Sequence, residues 1–324
     1  MRRTCTAHDL GPAHRTDARR TAPSRRRVRK VPAALALLLA GCGWVHNYPD
    51  TEGPRYAGGA PSATPSAGPD TLTIVTFNIE QSDHIDRALD VLRGEPVLRE
   101  VDVVLLQEMD ATGTARVARA LGMEWVYYPG SVEDQRDFGN AVLSRWPIAD
   151  DAKLVLPHLS VFGERQRTAT VATLQVGDAR VRVYSVHLST PINQAEPERR
   201  DQLEAVLRDA RGWRHVVIGG DLNAGNLGDM ATRRGFLWPT EEGPRTVFWG
   251  RWDHIFLKGL VLPAQGAAGT VLDNRDASDH KPVWVRAILG GEGGQGVATP
   301  GAPGHLGGPR HPTPPGFEPN PETR

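Results

Sequence analysis

The 324-residue chain has a formal net charge of +0 and 39% hydrophobic residues, enough for one sizeable globular domain flanked by tails. Its only cysteines, Cys5 and Cys42, precede the domain's apolar pattern, which excludes a disulfide framework or a cysteine-based zinc site within it. The neutral total conceals a basic N-terminal stretch and a mildly acidic remainder, and an acidic domain is poorly suited to tight, non-specific duplex binding.

Residues 1–42 read as a signal region. A cationic run, Ser24-Arg25-Arg26-Arg27-Val28-Arg29-Lys30, leads into a short apolar segment ending Leu39-Ala40-Gly41-Cys42. That segment is too short to span a bilayer and has the order of charged, apolar and small residues of an export signal. Its end resembles the lipobox of bacterial lipoproteins, which implies cleavage before Cys42, lipidation of Cys42, and a domain held at a cell membrane outside the cytoplasm. Ser24 to Lys30 also resembles a twin-arginine signal, and both general and twin-arginine export stay open. Residues 43–70, rich in Pro, Gly, Ala, Ser and Thr, read as a linker. Residues 290–324, rich in Gly and Pro and poor in aliphatic residues, read as a disordered tail.

Between them, residues 71–289 carry the pattern of an α/β domain. Alternation and β-branched residues predict strands at Thr71 to Phe77, Val101 to Leu106, Trp125 to Tyr128, Ala141 to Leu143, Ala169 to Val176, Arg180 to His187, His215 to Ile218, Asp253 to Leu257 and Pro282 to Ile288. Helical spacing predicts helices near Asp83 to Leu92, Thr112 to Leu121 and Ala195 to Ala210. In Val216-Val217-Ile218-Gly219-Gly220-Asp221-Leu222-Asn223 a buried strand runs into two glycines, where another chain or group approaches closely. Asp221 and Asn223, two apart, share a face and offer oxygen atoms to a cation or a phosphate.

Polar residues recur wherever strands stop, and loops at one end of a sheet are where a scaffold assembles a site. The pieces are Thr76-Phe77-Asn78-Ile79, Leu106-Gln107-Glu108, Gly139-Asn140-Ala141-Val142-Leu143-Ser144-Arg145, Val186-His187-Leu188, Gly220-Asp221-Leu222-Asn223, Trp252-Asp253-His254-Ile255-Phe256 and Ser278-Asp279-His280-Lys281-Pro282. In this order the set resembles the endonuclease/exonuclease/phosphatase superfamily, the fold of deoxyribonuclease I. The resemblance implies a four-layer α/β sandwich, two mixed β-sheets packed face to face with helices outside.

It also implies roles. Glu108, Asn78 and Asp279 are hard oxygen donors for Mg²⁺ or Mn²⁺. His280 is the expected general base, oriented by Asp253, with Asp221 on the attacking water. Asn223 and His187 are expected to donate to phosphoryl oxygens in the transition state. Arg167 matches an arginine that reaches a substrate phosphate, Asn140 supports the site, Asp137 is a candidate acidic partner for His187, and His254 reads as structural. The expectation is an exported, membrane-tethered, monomeric phosphodiesterase acting on a phosphate ester, nuclease-like. The alternatives are a lipid phosphodiesterase of sphingomyelinase type, an inositol-phosphate phosphatase, and a non-catalytic binding module; the last predicts a missing ligand or base, and none is missing.

Overall fold

The computed structural model describes residues 46–60 and 71–290. Residues 1–45, where the export signal and its lipobox are expected, residues 61–70 of the expected linker and residues 291–324 of the expected tail lie outside the described residues.

One sheet is built from β1 (Tyr56–Gly58), β2 (Thr71–Asn78), β3 (Val103–Met109), β4 (Glu124–Glu133) and β5 (Arg136–Ser144), completed late in the chain by β11 (Leu260–Val261), β12 (Ala268–Thr270) and β13 (Val283–Leu289). Its order is β1-β4-β5-β3-β2-β13-β11, with β12 also paired to β13. The second sheet contains β6 (Ile148–Val155), β7 (Thr168–Val176), β8 (Ala179–His187), β9 (His215–Asp221) and β10 (Asp253–Lys258), in the order β10-β9-β8-β7-β6. Each sheet is mixed for the same reason. A single helical crossover, α1 (Ile85–Gly94) in one and α3 (Glu196–Asp209) in the other, makes β2 parallel to β3 and β8 parallel to β9. The remaining pairs are antiparallel.

Side-chain alternation sorts the layers. Along β2, Leu72 and Ile74 enter the core between the sheets with Leu105, Val142, Leu174, Val183 and Val217. Val75 and Phe77 face the other way, onto α1 and α2 (Ala111–Leu121). On the far side Tyr184, Val186 and Ile218 pack against Leu203 and Val206 of α3. The result is helix, sheet, sheet, helix, the four-layer sandwich implied by the resemblance.

Beneath the edge where β2, β3, β8 and β9 stop, the two sheets are joined by polar groups. Gln107 Nε2 donates to Ser185 Oγ (2.9 Å), Ser185 Oγ donates to the Leu106 carbonyl (2.9 Å), and Thr76 Oγ1 donates to Gln107 Oε1 (3.2 Å). All three side chains are buried, and satisfied buried networks hold a unique geometry.

Three features depart from the sequence expectations. Strands β4 and β5 run on past Tyr128 and back from Arg136 as one long hairpin, turning at Asp134 and Gln135, both at positive φ. Strand β6 is hidden in the sequence because Asp150 and Asp151 break its apolar run; here they pair with Arg182 and Arg55. Residues 46–60, expected inside a solvated linker, are docked. Strand β1 adds an edge to β4, Asn47 bridges Ser131, and buried Lys153 Nζ donates to the carbonyls of Tyr48, Asp50 and Gly53 (2.5, 2.9 and 2.9 Å).

Candidate active site

Strands β2, β3, β8 and β9 all end at one edge of the sandwich, and β10 and β13 begin there. This juxtaposition brings together residues far apart in the chain. Gly219 and Gly220 make it possible on the second sheet. A Cβ at Gly220 would lie 1.8 Å from the Val186 carbonyl oxygen, and one at Gly219 would lie 2.6 Å from Leu105 Cδ1 of the facing sheet. The close approach expected there is thus made by the protein's own strands.

Asp221 is the centre. Its Oδ1 accepts from the Asn223 amide N–H (2.8 Å); its Oδ2 accepts from Asn223 Nδ2 (3.2 Å) and Asn78 Nδ2 (3.3 Å). His187 Nε2 lies 3.4 Å and His280 Nε2 3.6 Å from the same oxygen. Burial raises the Asp221 pKa to about 7; the charges of Asp253 and Glu108 add to this and His280 opposes it.

His280 is held through Nδ1, 2.9 Å from Asp253 Oδ2, which leaves Nε2 facing Asp221. Burial works against its imidazolium, but Asp253, then Asp221 and Asp279, outweigh it and raise the pKa to about 10. Asp253 is set by register, directly opposite Asp221 across the β9–β10 pair. Thr246 Oγ1 accepts from the backbone N–H of Trp252 and Asp253 (3.0 and 3.3 Å).

Glu108 sits where β3 slips register between Leu106 and Met109, with φ 57. A left-handed backbone at a non-glycine residue in a bulge is a strained device for aiming one side chain. Its Oε1 accepts from Asn78 Nδ2 (3.1 Å) and lies 3.9 Å from His187 Nε2. The loop carrying Asp279 is tied to the same place by Ser278 Oγ, which donates to the Asn78 carbonyl (2.7 Å). Glu108 brings hard carboxylate oxygens suited to a divalent cation, with Asp279 on the neighbouring loop; Asn78 aims Nδ2 at Glu108 and Asp221 while its Oδ1 accepts from the Glu80 N–H (3.1 Å), so it joins such a set only by turning its amide over. Asp221, Asp253 and His280 also place ligand atoms within 4.8 Å of one another. Because His280 Nδ1 is already bonded to Asp253, this second trio is better suited to moving protons than to enclosing an ion.

Other residues stand apart from their expected roles. Arg167 is buried, and its Nη1 donates to His187 Nδ1 (3.2 Å) while its guanidinium lies 5.3 Å from the Phe138 ring centre. It acts on His187 from behind instead of reaching outward. With Nδ1 accepting, the His187 proton is on Nε2, aimed at Asp221, and burial followed by Arg167 and His280 holds its pKa well below the ordinary value. The acidic neighbours of His187 are therefore Asp221 and Glu108. Asp137 accepts from Tyr48 Oη (2.9 Å).

Asn223 Nδ2 donates to Leu188 O (3.0 Å) as well as Asp221, so in this conformation it braces the carboxylate. Asn140 Nδ2 donates to Thr168 O (2.6 Å), and its buried Oδ1 has no partner among the described residues, beside Arg167 and His187 in a small cleft. His254 accepts from Trp238 Nε1 (3.1 Å) and contacts Arg251 O (3.0 Å), a paired structural histidine as expected.

Two contributors were missed. Glu80 Oε2 accepts from the Asp279 N–H (3.2 Å), and Arg199 Nη1 donates to the Asn223 carbonyl (2.7 Å). Glu80 follows the Asn78 motif immediately and could have been found there; nothing near Arg199 in the sequence signals its role.

Solved structures share this architecture. An endonuclease/exonuclease/phosphatase from Beutenbergia cavernae DSM 12333 is 22% identical with a TM-score of 0.58, covering 68% of this chain and 72% of that one. A D. rerio TDP2 humanized by 14 mutations is 19% identical with a TM-score of 0.53, covering 68% of this chain and 100% of that one. An endonuclease/exonuclease/phosphatase from Bacteroides vulgatus is 17% identical with a TM-score of 0.55, covering 68% and 99% respectively. No curated protein matches the sequence. The model of the Endonuclease/Exonuclease/phosphatase family matches residues 75–280, which begin in β2 and end at His280 and so take in every part of the site just described. The chain belongs to that family.

Proposed function

We propose that this protein is an exported, lipid-tethered, Mg²⁺- or Mn²⁺-dependent phosphodiesterase that hydrolyses its ester with a water activated at Asp221 and His280. Family membership places it among phosphoric ester hydrolases. The observation that carries the finer reading is the buried row Asp253, His280, Asp221, with separations of 2.9 and 3.6 Å.

The attacking water needs a proton acceptor beside it. Burial raises the Asp221 carboxyl toward neutrality, which makes it a candidate acceptor beside His280, the base expected from sequence. As water oxygen bonds to phosphorus and one ester oxygen departs, the water's proton passes to the Asp221–His280 pair, and the imidazolium of His280 offsets charge on the phosphoryl oxygens. Asp253 fixes that ring. His187 donates through Nε2 and is held in that tautomer by Arg167. Glu108, Asn78 and Asp279 would hold the cation, which as a Lewis acid polarises the phosphate.

Glu108→Ala and His280→Ala are each expected to abolish Mg²⁺-dependent hydrolysis of bis-p-nitrophenyl phosphate with the circular dichroism spectrum unchanged. Undiminished turnover in both refutes the site. Cys42→Ser is expected to abolish labelling of the protein by a radioactive fatty acid in cells, and unchanged labelling refutes the tether.

A further inference from the structure

The largest exposed apolar side chains gather around the active site. Phe248 and Trp249 are 80% and 76% exposed in the β9–β10 loop, and Val161, Phe162 and Ile192 are 71%, 65% and 80% exposed in the β6–β7 and β8–α3 loops. Leu272, 63% exposed, lies in the loop leading to His280. Of the large apolar residues exposed among the described residues, only Leu237 and Val261 lie away from this rim.

These side chains are built into the rim. Phe248 and Trp249 meet edge to face at 4.9 Å, two residues beyond Thr246, which binds Asp253 through Oγ1 and accepts from the Lys281 N–H (2.9 Å) through its carbonyl. On the opposite side the Val161 N–H donates to Asn193 O (3.0 Å) and Gln194 Nε2 donates to Leu159 O (2.9 Å), so the two loops present one patch. Apolar rings flanking a catalytic cleft from two sides mark an interaction surface.

The start of the described chain indicates the occupant. Asn47 Nδ2 donates to Glu164 O (2.7 Å), the Gln166 N–H donates to Asn47 Oδ1 (2.9 Å), and the Val132 N–H donates to His46 O (2.8 Å). The chain thus joins the domain at this same rim, beside Phe162. Cys42 precedes His46 by four residues, which even fully extended reach about 14 Å. A lipid on Cys42 leaves too little chain for the rim to face away from the membrane.

We infer that the catalytic rim is a docking face for a phospholipid surface and that the ester cleaved is the phosphodiester of a membrane lipid headgroup. The inference rests on the phosphoesterase reading and narrows its substrate. Exposed aromatic and aliphatic side chains enter the headgroup boundary, where Trp and Phe are favoured, and the site between them then opens onto the plane of headgroup phosphates. A lipid held at the interface is presented phosphate first.

The test separates docking from both the tether and the chemistry. Full-length Cys42→Ser protein, free of lipid, is sedimented with vesicles of phosphatidylethanolamine and phosphatidylglycerol and assayed for headgroup release and for hydrolysis of soluble bis-p-nitrophenyl phosphate. It is expected to bind and cleave vesicle lipid. The double variants F248S/W249S and F162S/I192S, at exposed positions that leave the fold intact, are expected to lose about tenfold in vesicle binding and headgroup release. Their turnover of the soluble ester stays within twofold. Equal vesicle binding by these variants, no binding by the parent, or binding without lipid cleavage overturns the inference. So does a loss confined to single-stranded oligonucleotide binding, which assigns the aromatic pair to base stacking. Failure of the parent on the soluble ester refutes instead the phosphoesterase reading, and unchanged fatty-acid labelling of Cys42→Ser in cells refutes only the tether.

Discussion

Asp253→Asn isolates the charge that holds His280. The substitution keeps the shape of the side chain and an acceptor near His280 Nδ1, now 2.9 Å from Asp253 Oδ2, but removes a full negative charge from a buried site. At an effective dielectric near 20, a unit charge about 4 Å away contributes on the order of 4 kcal/mol, about a thousandfold in a protonation equilibrium. Asp253 is the largest of the charges that hold His280 above its ordinary value, with Asp221 and Asp279 behind it. In metal-free protein the variant's imidazole is therefore expected to titrate near or below about pH 7, read by ¹⁵N histidine NMR. With Mg²⁺, hydrolysis of bis-p-nitrophenyl phosphate at pH 7 is expected to fall between about 10² and 10⁴-fold, the range for loss of a positioned proton-transfer group. A His280 that still titrates near 10, or turnover within threefold of the parent, refutes the assignment of Asp253 as the orienting charge.

Because the folded pKa of His280 lies above its unfolded value, its contribution to stability is complete below about pH 6.5 and is lost as pH rises through about 10. Thermal unfolding of metal-free protein should show that decline, and His280→Gln should flatten it. Glu108→Gly relieves a left-handed backbone at φ 57 and should raise Tm by about 2–4 °C, corresponding to about 1 kcal/mol, while abolishing metal-dependent turnover; a lowered Tm counts against strain at the bulge. A protein beginning at Thr71 should be less stable in urea than one beginning at His46 by about 2–3 kcal/mol, since it loses strand β1 and the three carbonyl acceptors of Lys153. Equal midpoints show that β1 and the preceding loop are ornamental.

Much of the site was legible because its residues stand where apolar runs stop. Val216 to Ile218 ending in Gly219-Gly220-Asp221 announces a buried strand, a close approach and a carboxylate, and each is found. The same holds for Asn78 after β2, Glu108 in β3 and His187 at the end of β8. Arg167 was legible as a conspicuous cation and was read outward. Its burial behind His187 follows from the packing of β7 against the β4–β5 hairpin, which no local pattern encodes. Asp137 failed as a partner for the same reason, since its oxygen is taken by Tyr48 from a stretch that reads as linker.

Local chemistry along the chain determined the strands, the three main helices and the identity of the groups that bear charge, because periodicity and β-branching act over a few residues. Only the tertiary structure decided which of those charges face one another. The pKa values of Asp221 and His280 arise from burial and from neighbours at 3.6 Å that lie 59 positions away in the chain. It also decided the place of residues 46–60, whose polar composition predicts solvation until Lys153 and the free edge of β4 supply the partners their backbone needs.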